Sequence, residues 1–318
     1  MTKYIFKRLL YMLPVLLGII IIVFTLMYIT PGDPARSILG DSAPQEMVDE
    51  LREEMGLNDS YFARLGTYLK NVAFHGDLGV SYKTGRPVLN EILARYSTTL
   101  TLTIASSVLA IVLGILMGIV SAVKQYSAVD NLITTIALFG VSVPSFWIAM
   151  LLVLLFSVTL SWLPATGSYG IQYWIMPVFT MGMQSAAIIM RMTRSSMLEV
   201  IRQDYIRTAQ AKGQKKWKII TGHALKNAMV PIVTTAGIQI CGLLAGSVLV
   251  ESVFSLPGIG KYVVDSINYK DYPAVQGTVL FIGFNCVIIN LAIDIIYCFI
   301  DPRIKIQYSR KKKVEVNG

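Results

Sequence analysis

The sequence is poor in charged side chains. Only 15% of its 318 residues are charged, whereas a soluble domain averages about 25%. Hydrophobic residues make up 54%, and the mean hydropathy is +0.59. This balance excludes an ordinary soluble protein and indicates an integral membrane protein. The formal net charge is +9, but the excess lies beside apolar runs and in the C-terminal tail. We therefore expect no nucleic-acid partner.

Residues for metal, nucleotide or covalent chemistry are also scarce. The two histidines and three cysteines lack the spacing of metal ligands. No GxxxxGK motif followed by Ser or Thr occurs, and we find no Ser/His/Asp set or paired carboxylates. The chain is therefore not expected to be an enzyme or to bind a cofactor. If ATP drives it, a partner chain must hold the ATP and Mg²⁺.

Six apolar runs are long enough to cross a bilayer, whose ~30 Å core needs about 20 helical residues. The predicted spans are Leu9–Ile29, Thr99–Val123, Asn131–Leu160, Trp174–Met192, Val230–Val250 and Thr278–Ile300. The third contains Pro144, which predicts a kink, with a mobile hinge as the alternative. In the second, the spacing of Gly114 and Gly118 allows another helix to approach closely.

The distribution of positive charge predicts the orientation. Lysines and arginines are concentrated between Arg191 and Lys226 and again after Asp301, whereas the short connection Trp162–Tyr173 has none. Positive loops stay in the cytoplasm, so we expect an all-α protein of six transmembrane helices with cytoplasmic N and C termini. The first run is too long for a cleaved signal peptide.

The predicted spans and their orientation divide the chain into four regions. Residues 1–30 form an N-terminal transmembrane helix, residues 31–97 a small extracytoplasmic region, residues 98–303 a five-helix membrane core, and residues 304–318 a basic cytoplasmic tail. In the second region, Gln45–Met55 and Tyr61–Val72 predict short helices. The connection from Glu251 to Gly277 is predicted to be an outer loop.

One long basic segment separates the fourth and fifth spans. Helix formers run from Asp204 to Lys212, Gly213 predicts a helix end, and a second helical run extends from Lys215 to Met229. A central Arg or Lys in lipid costs at least ~2.5–3.5 kcal/mol, so the segment must lie in water on the cytoplasmic side. On charge alone it could be merely a solvated loop.

The residue order in this segment resembles the cytoplasmic coupling loop of ABC importer permeases. The matching residues are Ala209, Ala211, Gly213, His223, Leu225, Asn227, Ala228 and Pro231. Arg207 and Thr208 replace the Glu and Ala of the broad pattern, and this form is similar to the dipeptide/oligopeptide/nickel permease group. Four further motifs are similar in the same order: PGDP (31–34), GDLGxS (76–81), PGIG (257–260) and DPR (301–303). The first two are turns that we expect to shape the outer surface.

The resemblance implies a type I ABC importer permease (MetI-like) core in the bacterial cell membrane. It implies that the coupling loop, residues 194–229, docks the ATPase subunits through Asp204, Tyr205, Ile206, Thr208, Ala209, Ala211, Lys212 and Gly213. The implied partners are membrane lipid, a second homologous permease, two ATP-binding subunits and an extracellular or periplasmic substrate-binding protein.

Polar side chains within the spans need protein or water neighbours, because lipid offers none. We therefore expect a pathway shared with the second permease and lined by Gln184, Gln239, Ser247 and Asn285. The alternative is that each bonds within its own helix or chain. Amides and hydroxyls, without a His/Cys set, favour peptides over nickel or another small solute.

Two other functional classes remain open. A self-sufficient secondary transporter or channel would usually carry ionisable residues within its spans, and only Asp294 comes close. No inverted repeat is evident either. An intramembrane enzyme would need a catalytic set that the sequence lacks. The expected function is therefore a peptide permease subunit driven by separate ATPases.

Overall fold

The computed structural model describes residues 2–40 and 42–300, and these are predominantly helical. The helices are α1 Thr2–Ile29, α2 Pro34–Leu39, α3 Gln45–Glu54, α4 Tyr61–His75, α5 Val88–Val123, α6 Ala128–Ser142, α7 Ser145–Leu152, α8 Gln172–Ile201, α9 Asp204–Ala211, α10 Lys216–Lys218, α11 Leu225–Val253, α12 Ile259–Asn268 and α13 Tyr272–Ile300. Two π-helical turns, Val153–Thr159 and Ile219–Ala224, follow α7 and α10. The tail 304–318 and the DPR motif lie outside the described residues, as does the side chain of Asp294.

The chain divides into two compact units. The first contains the N-terminal hundred residues together with Ser255–Val287, and the second contains Thr101–Phe254 and the described residues from Ile288 onward. The long helices α5 and α13 contribute residues to both. The four regions predicted above follow chain order rather than these units, and their limits stay a prediction.

Among the described residues, five helices are long and apolar enough to cross a membrane, and Ala128–Ser142 with Ser145–Thr159 would add a sixth if the pair is one span. Five of the six predicted spans are thus confirmed, in α1, α5, α8, α11 and α13. Most of these helices run well past the apolar stretch. The backbone hydrogen bonds of these helices continue into water, whereas hydropathy identifies only the residues of each helix that suit lipid.

The kink predicted within Asn131–Leu160 is a sharper break. The two arms, α6 and the helix from Ser145 to Thr159, meet at 102°. Between them Val143 is extended, with φ −93° and ψ 128°. Pro144 has no N–H to continue the ladder and disfavours helical geometry in the residue before it. The chain therefore ends one helix and starts another at this proline.

The first unit has an apolar core to which α1, α5, α12 and α13 contribute. The core residues are Ile20, Leu78, Val88, Ile92, Ile259, Tyr262, Ala274 and Leu280. The predicted helices in residues 31–97 are confirmed as α3 and α4. The prediction of a loop over Glu251–Gly277 was incomplete, because it contains α12. The amide of Ile259 at the start of α12 donates to Thr99 Oγ1 at 2.9 Å, so glycine and proline around position 258 start this helix rather than prevent it.

The GDLGxS motif, residues 76–81, is closed by a buried carboxylate. Asp271 is 1% exposed, and it accepts hydrogen bonds from the Ser81 hydroxyl, from the Tyr82 amide at 3.0 Å and from the Lys83 amide at 3.3 Å. Gly79 has φ +91°, and a Cβ there would lie 3.2 Å from Pro273 Cβ. The motif is therefore satisfied within its own unit, which agrees with the expected structural role.

The second unit packs α8 against α5, α6 and α11. A Cβ on Gly114 would lie 2.7 Å from Ile189 Cβ, and one on Gly118 would lie 2.5 Å from Thr193 Cβ. The predicted close approach at these glycines is confirmed, and its partner is α8. Small residues also fill the contact with α11, where Ala186 packs with Ala236. This packing holds α8, which leads directly into the basic segment.

Candidate functional site

The basic segment folds as the predicted helix, glycine turn and second helix. The first helix, α9, ends at Ala211, and Gly213 beyond it has φ +72°. The Gly213 amide donates to the Gln210 carbonyl at 2.9 Å, and the Gln214 amide donates to the Ala209 carbonyl at 3.3 Å. These two bonds form a Schellman motif, which satisfies the last carbonyls of the helix and favours glycine at the left-handed position.

Ile206 attaches α9 to the rest of the unit. Its side chain is 1% exposed and packs in a cluster with Met197 of α8 and with Ile219 and Ala224 at the start of the next helix. The resemblance implied that Ile206 belongs to the docking surface. The structure instead turns it inward, because it is the one large aliphatic residue of α9. It supports the surface rather than forming part of it.

The opposite side of α9 is open. Tyr205 is 45% exposed, and Asp204, Thr208, Ala211, Lys212 and Gly213 are also exposed, while Ala209 is half-buried. A Cβ on Gly213 would meet nothing within 4 Å. The Asp204–Arg207 pair, at 3.9 Å and fully in water, contributes little stability. The result is a short, low-profile helix that a partner surface can approach closely.

The turn is tied to the following helix through His223. Its Nε2 lies 2.9 Å from Gln214 Oε1, and its carbonyl accepts from Asn227 Nδ2 at 2.8 Å. These contacts give His223 a structural role at the turn. Sequence reasoning missed Trp217, which is 72% exposed at the start of this helix. Its signal was an aromatic residue between Lys216 and Lys218.

The four predicted pathway residues have different surroundings. Ser247 is buried and donates to the Leu244 carbonyl at 3.1 Å. Asn285 accepts from the Tyr96 hydroxyl at 2.6 Å and donates to the Phe281 carbonyl at 2.8 Å. These two bonds match the intrachain alternative. Gln184 and Gln239 are half-buried. Asn285 belongs to the first unit and the other three to the second, so a common lining stays a prediction.

A buried ion pair was not anticipated. Asp130, 2% exposed, accepts from Arg194 Nε and Nη2, both at 2.8 Å. The sequence placed one residue just before the third span and the other just after the fourth, and nothing in it indicated that they meet. A cavity of about 990 Å³ lies beside the pair, lined in part by Arg191, Arg202 and Thr235.

Comparison with known proteins gives a consistent picture. Residues 110–306 match the family described as binding-protein-dependent transport system inner membrane component, and residues 1–103 match the N-terminal family of such membrane components. The chain is 43% identical to the dipeptide transport system permease protein DppB of Alkalihalophilus pseudofirmus, covering 96% of this chain and 100% of that protein. It is 41% identical to the glutathione transport system permease protein GsiC of Escherichia coli K12, covering 96% and 99%.

The fold also has a solved counterpart. An inward-facing structure of the MetNI methionine ABC transporter contains a chain that superposes with a TM-score of 0.57 at 19% identity. The match covers 67% of this chain and 97% of that chain. A second crystal form gives a TM-score of 0.56. At this identity the likeness concerns the fold alone, and it confirms the expected MetI-like core.

Proposed function

Because the chain belongs to the inner-membrane permeases of binding-protein-dependent ABC importers, in the dipeptide/oligopeptide/nickel group, we propose that it is the permease subunit of a peptide importer. With a second, homologous permease it forms the membrane pathway. A substrate-binding protein outside the membrane delivers the peptide, and two ATP-binding subunits in the cytoplasm drive its movement.

The open side of α9 is the observation that carries this proposal. The helix is fixed from beneath by Ile206 and closed by a glycine turn, yet Tyr205 and the small residues near its end face outward. A fixed base with an exposed face suits a surface that receives force from a partner. The cations around it, including Arg207 and Lys212, would meet an acidic rim on the ATPase.

Peptides are the favoured solute for two reasons. The two relatives described above, each matched over 96% of this chain, are permeases for a dipeptide and for glutathione, itself a tripeptide. The amides of Gln184 and Gln239 also offer both donors and acceptors to a peptide backbone. Nickel would call for nitrogen or sulfur ligands instead.

Energy for transport comes from the partner chains. The sequence has no GxxxxGK phosphate loop, so ATP and Mg²⁺ bind to the ATPase subunits. The role of this chain is mechanical: it receives a displacement at residues 194–229 and converts it into opening and closing of the pathway.

Uptake in cells tests this function. A strain lacking this gene should lose accumulation of a radiolabelled, non-hydrolysable dipeptide, and the wild-type gene should restore it. Excess unlabelled di- or tripeptide should compete with the labelled peptide, whereas Ni²⁺ should not. Peptide uptake at the normal rate in the deletion strain would contradict the proposal.

The energy source separates the two transporter classes. Depleting ATP while maintaining the membrane potential should stop uptake by an ABC importer. Collapsing the potential with ATP held constant should leave it largely intact. The opposite pattern would identify a secondary transporter, and competition by Ni²⁺ alone would identify a nickel importer.

A further inference from the structure

Asp130 sits at the meeting point of three helices. Its carboxylate receives two hydrogen bonds from Arg194 of α8, one from the Ser121 hydroxyl near the end of α5, and one from the Tyr126 amide at 2.9 Å. The residue itself lies in the first turn of α6, capped by Ser127. Its two carboxylate oxygens are therefore used by groups from both neighbouring helices.

Arg194 links this carboxylate to the buried side of α9 in the basic segment. Arg194 and Met197 are three residues apart on α8, which places them on the same side of the helix. Met197 is fully buried in the cluster that contains Ile206 of α9. One face of α8 thus carries both Met197, which packs in the cluster with Ile206, and Arg194, which binds Asp130.

A second line of contacts reaches Asp130 through α5. Ala122, 4% exposed, belongs to the same cluster as Ile206. Its neighbour in sequence is Ser121, whose hydroxyl donates to Asp130. Both routes start beneath α9 and end on the same carboxylate. An ion pair with only a local role would not need links to the Ile206 cluster through both α5 and α8.

We propose that Asp130 is a positioning residue that makes α9, the ends of α5 and α8, and α6 move as one body. The inference rests on the function proposed above, in which a partner displaces α9. A bidentate Arg–carboxylate pair fixes orientation as well as distance, so tilting α9 must carry α6 with it. Without the pair, α8 could slide past α6, and the displacement would not reach the bent helix pair.

The surroundings of the pair support this assignment. The neighbouring cavity is lined by two further cations, Arg191 and Arg202, and one acid, Glu199. None of these makes a bidentate contact to Asp130, whose oxygens already accept hydrogen bonds from five donor atoms, including the Thr134 hydroxyl. Since a buried carboxylate without its cation is strongly unfavourable, Arg194 cannot leave it at low cost. The pair is thus suited to transmit motion rather than to switch.

The test uses the complete transporter in membranes, comparing Asp130→Asn with Asn131→Ala, an exposed neighbour on α6. Asparagine has nearly the same shape but lacks the charge and the second acceptor oxygen, so it cannot form the bidentate ion pair with the guanidinium. We expect Asp130→Asn to assemble and to hydrolyse ATP, while the ATP consumed per transported peptide rises severalfold, because displacement of α9 no longer moves α6. Asn131→Ala should keep the wild-type ratio. An assembled Asp130→Asn transporter with an unchanged ratio would overturn the assignment.

A distance measurement decides the matter independently of transport. Spin labels on Ala128 of α6 and Gln210 of α9, both exposed, are introduced after replacing the native cysteines. In the otherwise wild-type complex their separation should stay constant between the nucleotide-free and ATP-bound states. In Asp130→Asn the distribution should broaden. A separation that changes with ATP in the wild type would refute the proposal that α9 and α6 move as one body. This holds even if Asp130→Asn fails to assemble or the transported solute is not a peptide.

Discussion

Two glycine turns in this protein share a left-handed backbone and differ in what surrounds them. Gly79 of the GDLGxS motif and Gly213 of the basic segment both have positive φ, at +91° and +72°. A side chain on Gly79 would press against Pro273, whereas one on Gly213 would enter open space. The first turn is completed by its own chain. The second has an exposed flank that a partner can occupy.

The buried polar groups of the two regions follow the same division. Around GDLGxS, Asp271 accepts hydrogen bonds from one hydroxyl and three backbone amides within the first unit. Around the coupling turn, the buried contacts of Ile206 are apolar and face inward, while the polar residues face water. A motif with internal partners indicates a structural role, and one without them on its open side indicates a docking role.

The largest expected effect is all-or-none and concerns orientation. If the two regions lie on opposite sides of the membrane, single cysteines at Lys216 and Tyr68 should react with an impermeant reagent from opposite sides. The background must lack the three native cysteines. Labelling of both positions from one side would break the comparison, because the two regions could not then serve an inner and an outer partner.

A substitution of Gly213 should abolish uptake while leaving the protein in the membrane. Gly213→Val costs roughly 1 kcal/mol or more in the left-handed region, which is too little to unfold the packed helices but enough to tilt α9. We expect weaker co-purification with the ATPase chains, loss of ATP-driven uptake, and unchanged peptide capture by the binding protein.

Gly85→Val is the matched control for this variant. Gly85 has φ +65° and open space around it, so it carries a similar backbone cost in the other region. It should not affect ATPase binding. Equal loss of ATPase binding in both variants, or normal transport by a well-expressed Gly213→Val protein, would contradict the docking role.

Asp271→Ala should destabilise the first unit by roughly 3 kcal/mol or more. It leaves the buried Ser81 hydroxyl and the amides of Tyr82, Lys83 and Ala274 without their acceptor, and each unsatisfied buried group costs about 1–3 kcal/mol. Thermal unfolding of the purified protein and trypsin cleavage at Lys83 should reveal the loss. Asp77→Ala, which removes one exposed bond to the Gly79 amide, should change stability by no more than about 1 kcal/mol.

The smallest effect is a response to alkaline pH in the first unit. Burial, partly opposed by the charge of Arg64, raises the pKa of Tyr82 to about 12. A raised folded-state pKa contributes stability that is present below the unfolded pKa of about 10 and lost as pH rises towards 12. The stability loss attributable to Tyr82 should be on the order of 1–2 kcal/mol. Tyr82→Phe should reduce the fall in unfolding temperature between pH 10 and pH 12, and an identical fall in both proteins would exclude Tyr82 as its source.

Patterns within the chain predicted the helices better than the contacts between them. Runs of apolar residues located five spans, and helix formers followed by Gly213 located α9 and its end, because both signals are local. Pro144 signalled an interruption but not its angle, which depends on what packs against each arm. Helix α12 was missed because its buried residues, such as Ile259 and Tyr262, are separated by polar ones and preceded by a turn.

The site shows the same limit. The docking role of α9 rests on residue order and stays a prediction. Ile206 was included in the docking surface but is buried, because sequence alone does not show which side of a short helix faces the core. Asp130 and Arg194 are 64 positions apart, and each looked like an ordinary charge at the end of a span. Only the fold brings them together.

The corner at Pro144 has a consequence for the bilayer around this chain. Each arm has fifteen residues and is about 22 Å long at 1.5 Å per residue, shorter than the ~30 Å hydrocarbon core. A single arm would therefore leave a hydrophobic mismatch, which lipid relieves by thinning or which a neighbouring subunit relieves by covering the gap. Association with a second permease would then lower the elastic strain of the membrane as well as complete the pathway. The affinity between the two permeases would therefore depend on bilayer thickness.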